Sequence, residues 1–187
     1  MKRFPVLAAL IIALLPAVTF ASSPTPTPTP PTISPSTCRS SWQTCAGVVL
    51  SLLNTQRARA HIPPLTLSAV QSRGETGCAG SYGHSWAMAR SGQIWHINSR
   101  FPHASFPHNV CLSGAVLAEN VGVDATGNVT SDLTGLTNLM MSEPHSKIFC
   151  AHNDDHACNI LDPQLHSVGI GIYFKNGSTW LTEDFAG

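Results

Sequence analysis

Charge is what this 187-residue sequence has least of. Ten lysines and arginines stand against ten aspartates and glutamates, a formal net charge of zero from only 11% charged residues. There is no basic stripe to track a phosphate backbone, so nucleic acid is not an expected partner. The same balance gives no electrostatic reason to sit on an anionic membrane surface. Long apolar runs are also missing, apart from residues 6–15 within MKRFPVLAALIIALLPAVTFA. That run is too short for a membrane span and is broken by Pro16. With Lys2 and Arg3 before it and the small residues Thr19 and Ala21 after it, it reads as a secretory signal peptide over residues 1–21. No cysteine follows closely enough to suggest a lipid anchor, so no membrane anchor is expected once the leader is cleaved. Removing Lys2 and Arg3 leaves eight bases against ten acids, a charge of −2.

No odd cysteine is left over. The six are Cys38, Cys45, Cys78, Cys111, Cys150 and Cys158. An even count behind an export signal predicts disulfides, which leaves no thiol to serve as a nucleophile. Sequence does not choose among the connectivities. Cys150 with Cys158 is the best local guess, Cys38 with Cys45 the next, and Cys78 with Cys111 is what remains. Internal repeats are absent as well.

What is present begins with a spacer. Residues 22–37, SSPTPTPTPPTISPST, should form an extended polyproline-type stalk, because proline fixes φ and removes backbone donors. The folded domain is expected over residues 38–187. Residues 45–60 read as a helix with Val48, Val49, Leu52 and Leu53 on its apolar face and Gln56, Arg57 and Arg59 on its polar one. Ser68 suits the N-cap of a second helix reaching about Arg90, despite the glycines within it. Residues 130–141 predict a third, with Leu133, Leu136 and Met140 on one face. Between the second and third lies an irregular stretch, 95–112. Near the end, Val168, Ile170, Ile172 and Phe174 alternate with smaller or polar residues, which is strand periodicity. Asn176-Gly177 suits a type I′ turn into a returning strand over 179–185. Helices followed by a hairpin indicate mixed α/β architecture with an antiparallel sheet.

Nine histidines in so uncharged a chain focus the search for a site. Four stretches, in order, resemble the CAP superfamily (cysteine-rich secretory proteins, antigen 5 and pathogenesis-related 1 proteins), especially its bacterial SCP-like branch. LLNTQRARAHIPPL (52–65) is similar to the opening helix with its Asn-x-x-Arg and Pro-Leu turn. WAMARSGQIWH (86–96) resembles the helix end that leads to the first cleft histidine. AENVG (118–122) resembles the Gly-Glu-Asn-Ile/Val motif, with Ala118 in place of glycine. HACNILDPQLHSVGIGIYF (156–174) and TWLTEDFAG (179–187) are similar to the bacterial ending.

The resemblance implies a three-layer α-β-α sandwich and a cleft lined by two histidines and two acids. Carried over residue by residue, His96 is the first histidine and Glu119 the first acid, with His156 as the second histidine. His145, in MMSEPHSK, is the alternative second histidine. The fourth position falls on Ser142 or Glu143, of which Glu143 is chemically able. Glu119 is then expected to meet both His96 and His156. Imidazole and carboxylate ligands suit Zn²⁺ or another divalent metal with positions left for water. Without metal, a Glu–His pair, Glu119 with His156, can act as general base and acid.

Two functions follow. One is a secreted, non-enzymatic binding or effector module that takes a lipid, sterol or protein partner. The other is a metal-assisted hydrolase acting on peptides or cell-wall polymers. His61, His84, His103, His108 and His166 read as surface or satisfied core residues. HNDDH (152–156) lacks the glutamate of a zinc-peptidase helix, leaving at most an auxiliary metal site at His152, Asp154 or Asp155. Thr55 and Ser142 have no suitably spaced partner for nucleophilic work. Asn128 and Asn176 begin glycosylation sequons, meaningful only in a host that uses them.

Overall fold

The computed structural model describes residues 33–96, 111, 114, 117–146, 150 and 155–187. The leader, most of the spacer and nearly all of the stretch expected to be irregular lie outside these residues. The described fold starts earlier than Cys38. Ser34 caps a short helix, α1 (Pro35–Ser40), by accepting the N–H of Thr37, and a proline opens the helix where a missing N–H costs nothing. Ile33, just before it, is buried in the core.

Helix α2 (Trp42–Arg59) buries Cys45, Ala46, Val49, Leu53 and Arg57 along one line at helical spacing. Arg57 overturns its assignment to the polar face. It is fully buried, and its guanidinium donates to the carbonyls of Pro63, Ile160, Asp162 and Leu165 at 2.7–2.9 Å. Burial lowers its pKa, against the opposing field of Asp162. A buried cation is tolerable here because carbonyl oxygens replace its lost water.

The helix expected from Ser68 to about Arg90 is broken in two. Ser68 does cap α3 (Ala69–Arg73), but Gly74 ends it at φ 79°. A Cβ at Gly74 would lie 2.7 Å from the Cys78 carbonyl oxygen, so only glycine allows the tight hairpin of β2 (Gly74–Glu75) and β3 (Cys78–Ala79) that follows. The chain then re-enters a helix as α4 (Ser81–Ser91).

The main sheet runs in the order β1 (Thr66–Leu67), β5 (Ser167–Lys175), β6 (Ser178–Ala186), β4 (Leu117–Asp124). The last three are antiparallel, whereas β1 joins β5 in parallel, so the sheet is mixed at that edge. Asn176 and Gly177 both have positive φ, 53° and 80°, as the I′ turn requires. Strand β4 has no clear strand signal of its own; eight residues of pairing with β6 impose it.

Side-chain alternation divides the sheet into two faces. Val168, Ile170, Leu181 and Phe185 pack toward α2, α5 (Val129–Met141) and α6 (His156–Leu161) in the main apolar core. The opposite face meets α3 and α4. There Ser81 and Ser85 of α4 bond to Asp184, to Thr182 and to the Gly171 carbonyl. A Cβ on Gly171 would fall 2.0 Å from Ser81 backbone, so glycine is what lets α4 lie this close. The result is the expected three-layer sandwich, with one oily interface and one that mixes these polar contacts with a smaller apolar cluster of Met88, Ala89, Trp95, Val121 and Trp180.

All six cysteines are paired, as Cys38–Cys45, Cys78–Cys111 and Cys150–Cys158, with Cα separations of 5.4, 5.1 and 5.2 Å. The two short-range pairs are those expected on local grounds, and Cys78–Cys111 is the pair that then remained. Cys150–Cys158 ties the start of α6 to the segment that follows α5.

Candidate functional site

The site forms where β4, α5, α6 and the end of α4 meet. Register places Glu119 opposite Asp184 and Asn120 opposite Glu183 on β6. Because neighbouring side chains on a strand point to opposite faces, Glu119 faces α4 and Asn120 faces α6. His96 lies five residues beyond the end of α4. It donates its Nδ1–H to Glu119 Oε1 at 2.8 Å. His156 opens α6 and donates Nδ1–H to Glu143 Oε1 at 2.7 Å, while its backbone N–H donates to Glu143 Oε2 at 2.8 Å. The tautomers are assigned from chemistry: an ionised carboxylate only accepts.

The four side chains carried over from the motifs therefore come together, with one correction to their pairing. Glu119 does not bridge His96 and His156; Glu143 holds His156 instead. The two imidazole centroids lie 6.0 Å apart with their planes 31° from parallel. His145 is exposed, and among the described residues its Nδ1 bonds the carbonyl of Glu143. Ser142 is likewise occupied locally, its hydroxyl donating to the Leu139 carbonyl. His152 and Asp154 lie outside the described residues, and Asp155 is the residue before α6.

His84, expected as a surface or satisfied core histidine, is a core residue that also borders this site. It is fully buried on α4, with Nδ1 2.9 Å from Glu119 Oε2 and its ring 4.3 Å from that of Trp95. Glu119 thus has an imidazole beside each oxygen, hydrogen-bonded at Oε1 and at ion-pair distance at Oε2. The sequence did carry a signal. Ser81, His84 and Ser85 put polar groups on the same helical face as buried Met88, which is the face that should be apolar.

Beneath the cleft lies a buried polar layer. Asn120 donates to the His156 carbonyl at 3.2 Å and to Glu183 Oε2 at 3.1 Å, and it accepts from Asn159 at 3.0 Å. Asn159 also donates to the Glu119 carbonyl at 3.3 Å. This amide pair ties β4 to α6 and so ties one histidine–acid pair to the other. Glu183 and Asp184 are both wholly buried. Burial pushes Glu183 up to about 7, partly opposed by the Asn120 hydrogen bond. Burial, then the charge of Glu119, raise Asp184 well above the usual carboxylate range, although Ser81 pulls the other way. His96 is raised by its hydrogen bond to Glu119, with partial burial opposing.

This arrangement bears on metal binding. In both pairs a carboxylate occupies Nδ1 and leaves Nε2 as the remaining lone pair, the way carboxylates commonly orient a metal-ligating histidine. Bonds of about 2.0–2.1 Å to one nitrogen of each ring are compatible with centroids 6.0 Å apart. Among the described residues, no three His, Cys, Asp or Glu side chains gather as a metal-holding group. An ion in the cleft would therefore be held, among the described residues, by the two imidazoles alone, with water completing its shell.

No family model matches the chain, and no curated protein matches it. Among solved structures, it is similar to an extracellular protein containing an SCP domain from Bacillus anthracis str. Ames, at 18% identity and a TM-score of 0.50. That match covers 82% of this chain and 44% of the Bacillus protein, so the chain spans less than half the length of that relative. Venom allergen-like protein 4 of Schistosoma mansoni is a fainter likeness, at 10% identity and a TM-score of 0.49, covering 75% of this chain and 86% of that one. The likeness to the Bacillus structure shows the fold, and the fold is the SCP-like, CAP-type α-β-α sandwich that the four sequence motifs imply.

Proposed function

We propose that this protein is a secreted CAP-type binding module whose cleft holds a divalent cation, Zn²⁺ foremost, between His96 and His156. Secretion is supported by the leader-like N-terminus, the pairing of all six cysteines and the extracellular character stated for the Bacillus protein. The single observation that carries the site is two imidazoles 6.0 Å apart, each with Nδ1 fixed by its own carboxylate. Binding of a lipid, sterol or protein partner is favoured over hydrolysis by the same geometry. Glu119 Oε1 and both oxygens of Glu143 already accept hydrogen bonds, unlike a general base poised toward an open cleft.

Calorimetry with Zn²⁺ on the full chain tests this. The wild type should give one saturable binding event, and a His96→Ala, His156→Ala double variant should lose it. Glu119→Gln should weaken it by about 10–100-fold through loss of ligand orientation. Equal binding by wild type and double variant would remove the cation from the cleft.

A further inference from the structure

We propose that Asp184 is a positioning residue: as a neutral carboxylic acid it donates a hydrogen bond to the Glu119 carboxylate, and so holds Glu119 as the acceptor that orients His96. Register sets the two acids opposite each other on β6 and β4, with both side chains on the α4 face. They are hydrogen-bonded to each other. Two carboxyl groups can share a hydrogen bond only if one of them carries a proton, because an ionised carboxylate has nothing to donate. Their surroundings decide which one does. Asp184 is wholly buried, whereas Glu119 is 11% exposed and has His96 at 2.8 Å and His84 at 2.9 Å. The charge therefore rests on Glu119 and the proton on Asp184. The oxygens of Asp184 divide accordingly. Oδ2 accepts from the Ser81 hydroxyl at 2.6 Å. Oδ1 meets no N–H or hydroxyl donor among the described residues, as suits the oxygen that carries the proton. Burial, then the charge of Glu119, hold that proton in place well above the usual carboxylate range. Asp184 lies outside the four residues that the motifs bring to the cleft.

The consequence reaches His96 through Glu119. A carboxylate bonded at one oxygen can still swing about its last torsion. The bond from Asp184 comes from a strand paired with β4 along eight residues, so it ties the Glu119 carboxylate to the sheet. His96 is 47% exposed and lies beyond the end of α4, so it has the freedom that needs restraining. With Glu119 fixed as an acceptor, neutral His96 carries its proton on Nδ1 and keeps a lone pair on Nε2. This inference rests on the geometry of the proposed cleft but not on metal occupancy, and it is tested without metal.

The experiment is NMR of the metal-free full chain, in two readings. Carbon-13 labelling of the aspartate side-chain carboxyls reads the proton directly. At neutral pH the wild type should show an aspartate carboxyl in its protonated position, and Asp184→Asn should lack that signal. An Asp184 carboxyl found in the ionised position would overturn the proposal. Long-range ¹H–¹⁵N spectra of the His96 ring, at the lowest pH where its neutral form prevails, read the positioning. Asp184→Asn keeps an N–H donor for Glu119 and an acceptor for Ser81, whereas Asp184→Val and Asp184→Ala remove both. Wild type and Asp184→Asn should show a single Nδ1–H tautomer, and Asp184→Val and Asp184→Ala both tautomers in exchange. The amide spectrum of the sheet reports that each variant is folded. If neither apolar variant folds, the carboxyl reading and Asp184→Asn still decide. An unchanged single tautomer in folded Asp184→Val or Asp184→Ala would overturn the proposal, and so would loss of the single tautomer in folded Asp184→Asn. Failure of Zn²⁺ to bind in calorimetry would remove the metal reading and leave this result standing.

Discussion

The two histidine–acid pairs differ in what surrounds them. The Glu119 side chain is 11% exposed, sits within β4, and is flanked by imidazoles from two other segments over a layer of buried acids and amides. The Glu143 side chain is 31% exposed at the end of α5, and its partner His156 is 29% exposed at the start of α6. One acid is built into the sandwich and the other rests at its rim. Similar hydrogen-bond lengths therefore hide different energetics. A desolvated carboxylate depends on its donors, whereas a half-exposed one can exchange a lost partner for water.

The largest expected effect breaks that comparison directly. Glu119→Ala leaves a buried imidazole without its acid, a class of change that costs about 3–5 kcal/mol. Asp184, relieved of the Glu119 charge, ionises more readily and offsets part of this, so a loss of about 3 kcal/mol in chemical denaturation is expected. Glu143→Ala should cost under about 1 kcal/mol in the same assay. Equal losses would mean that the two halves are not built differently.

A smaller effect, of opposite sign, sharpens the picture of the buried half. Glu183 titrates at about 7 in the folded chain against an ordinary 4.5. Between those values the folded chain holds a proton that the unfolded chain has lost, so stability is greatest below the ordinary carboxylate pKa and falls as pH rises to about 7. Asp184 and His96 are raised as well, so both act in the same direction. Glu183→Gln keeps the acceptor for Asn120 and cannot ionise. It should stabilise the protein by about 2 kcal/mol at pH 8 and flatten the decline between pH 5 and 7. A variant less stable than wild type at pH 8, or an unchanged pH slope, would show that Glu183 is not held neutral by burial.

How much of this was legible in the sequence depended on whether local periodicity and tertiary demand agreed. They agreed for α2, for α5 and for the hairpin turning at Asn176-Gly177, and these elements appear where expected. They disagreed at β4, where Glu119, Asn120 and Gly122 dilute the strand signal and only pairing with β6 supplies it. They also disagreed at Gly74, whose positive φ inserts a hairpin into what reads as one helix. Arg57 reads as solvent-facing because a charge usually is; the carbonyls of Pro63, Ile160, Asp162 and Leu165 make its burial tolerable. Within the site, motif resemblance brought out His96, Glu119, His156 and Glu143. It did not show which acid holds which histidine, and His84 needed the polar stripe on α4 to be read as buried.

The central claim is that His96 and His156 face each other closely enough to share one ion. Electron paramagnetic resonance of the Cu²⁺-loaded full chain tests it most directly, since nitrogen superhyperfine splitting counts coordinated imidazoles. The account predicts two in the wild type, one in either His96→Ala or His156→Ala, and none in the double variant. An unchanged two-imidazole signal in the double variant would contradict it.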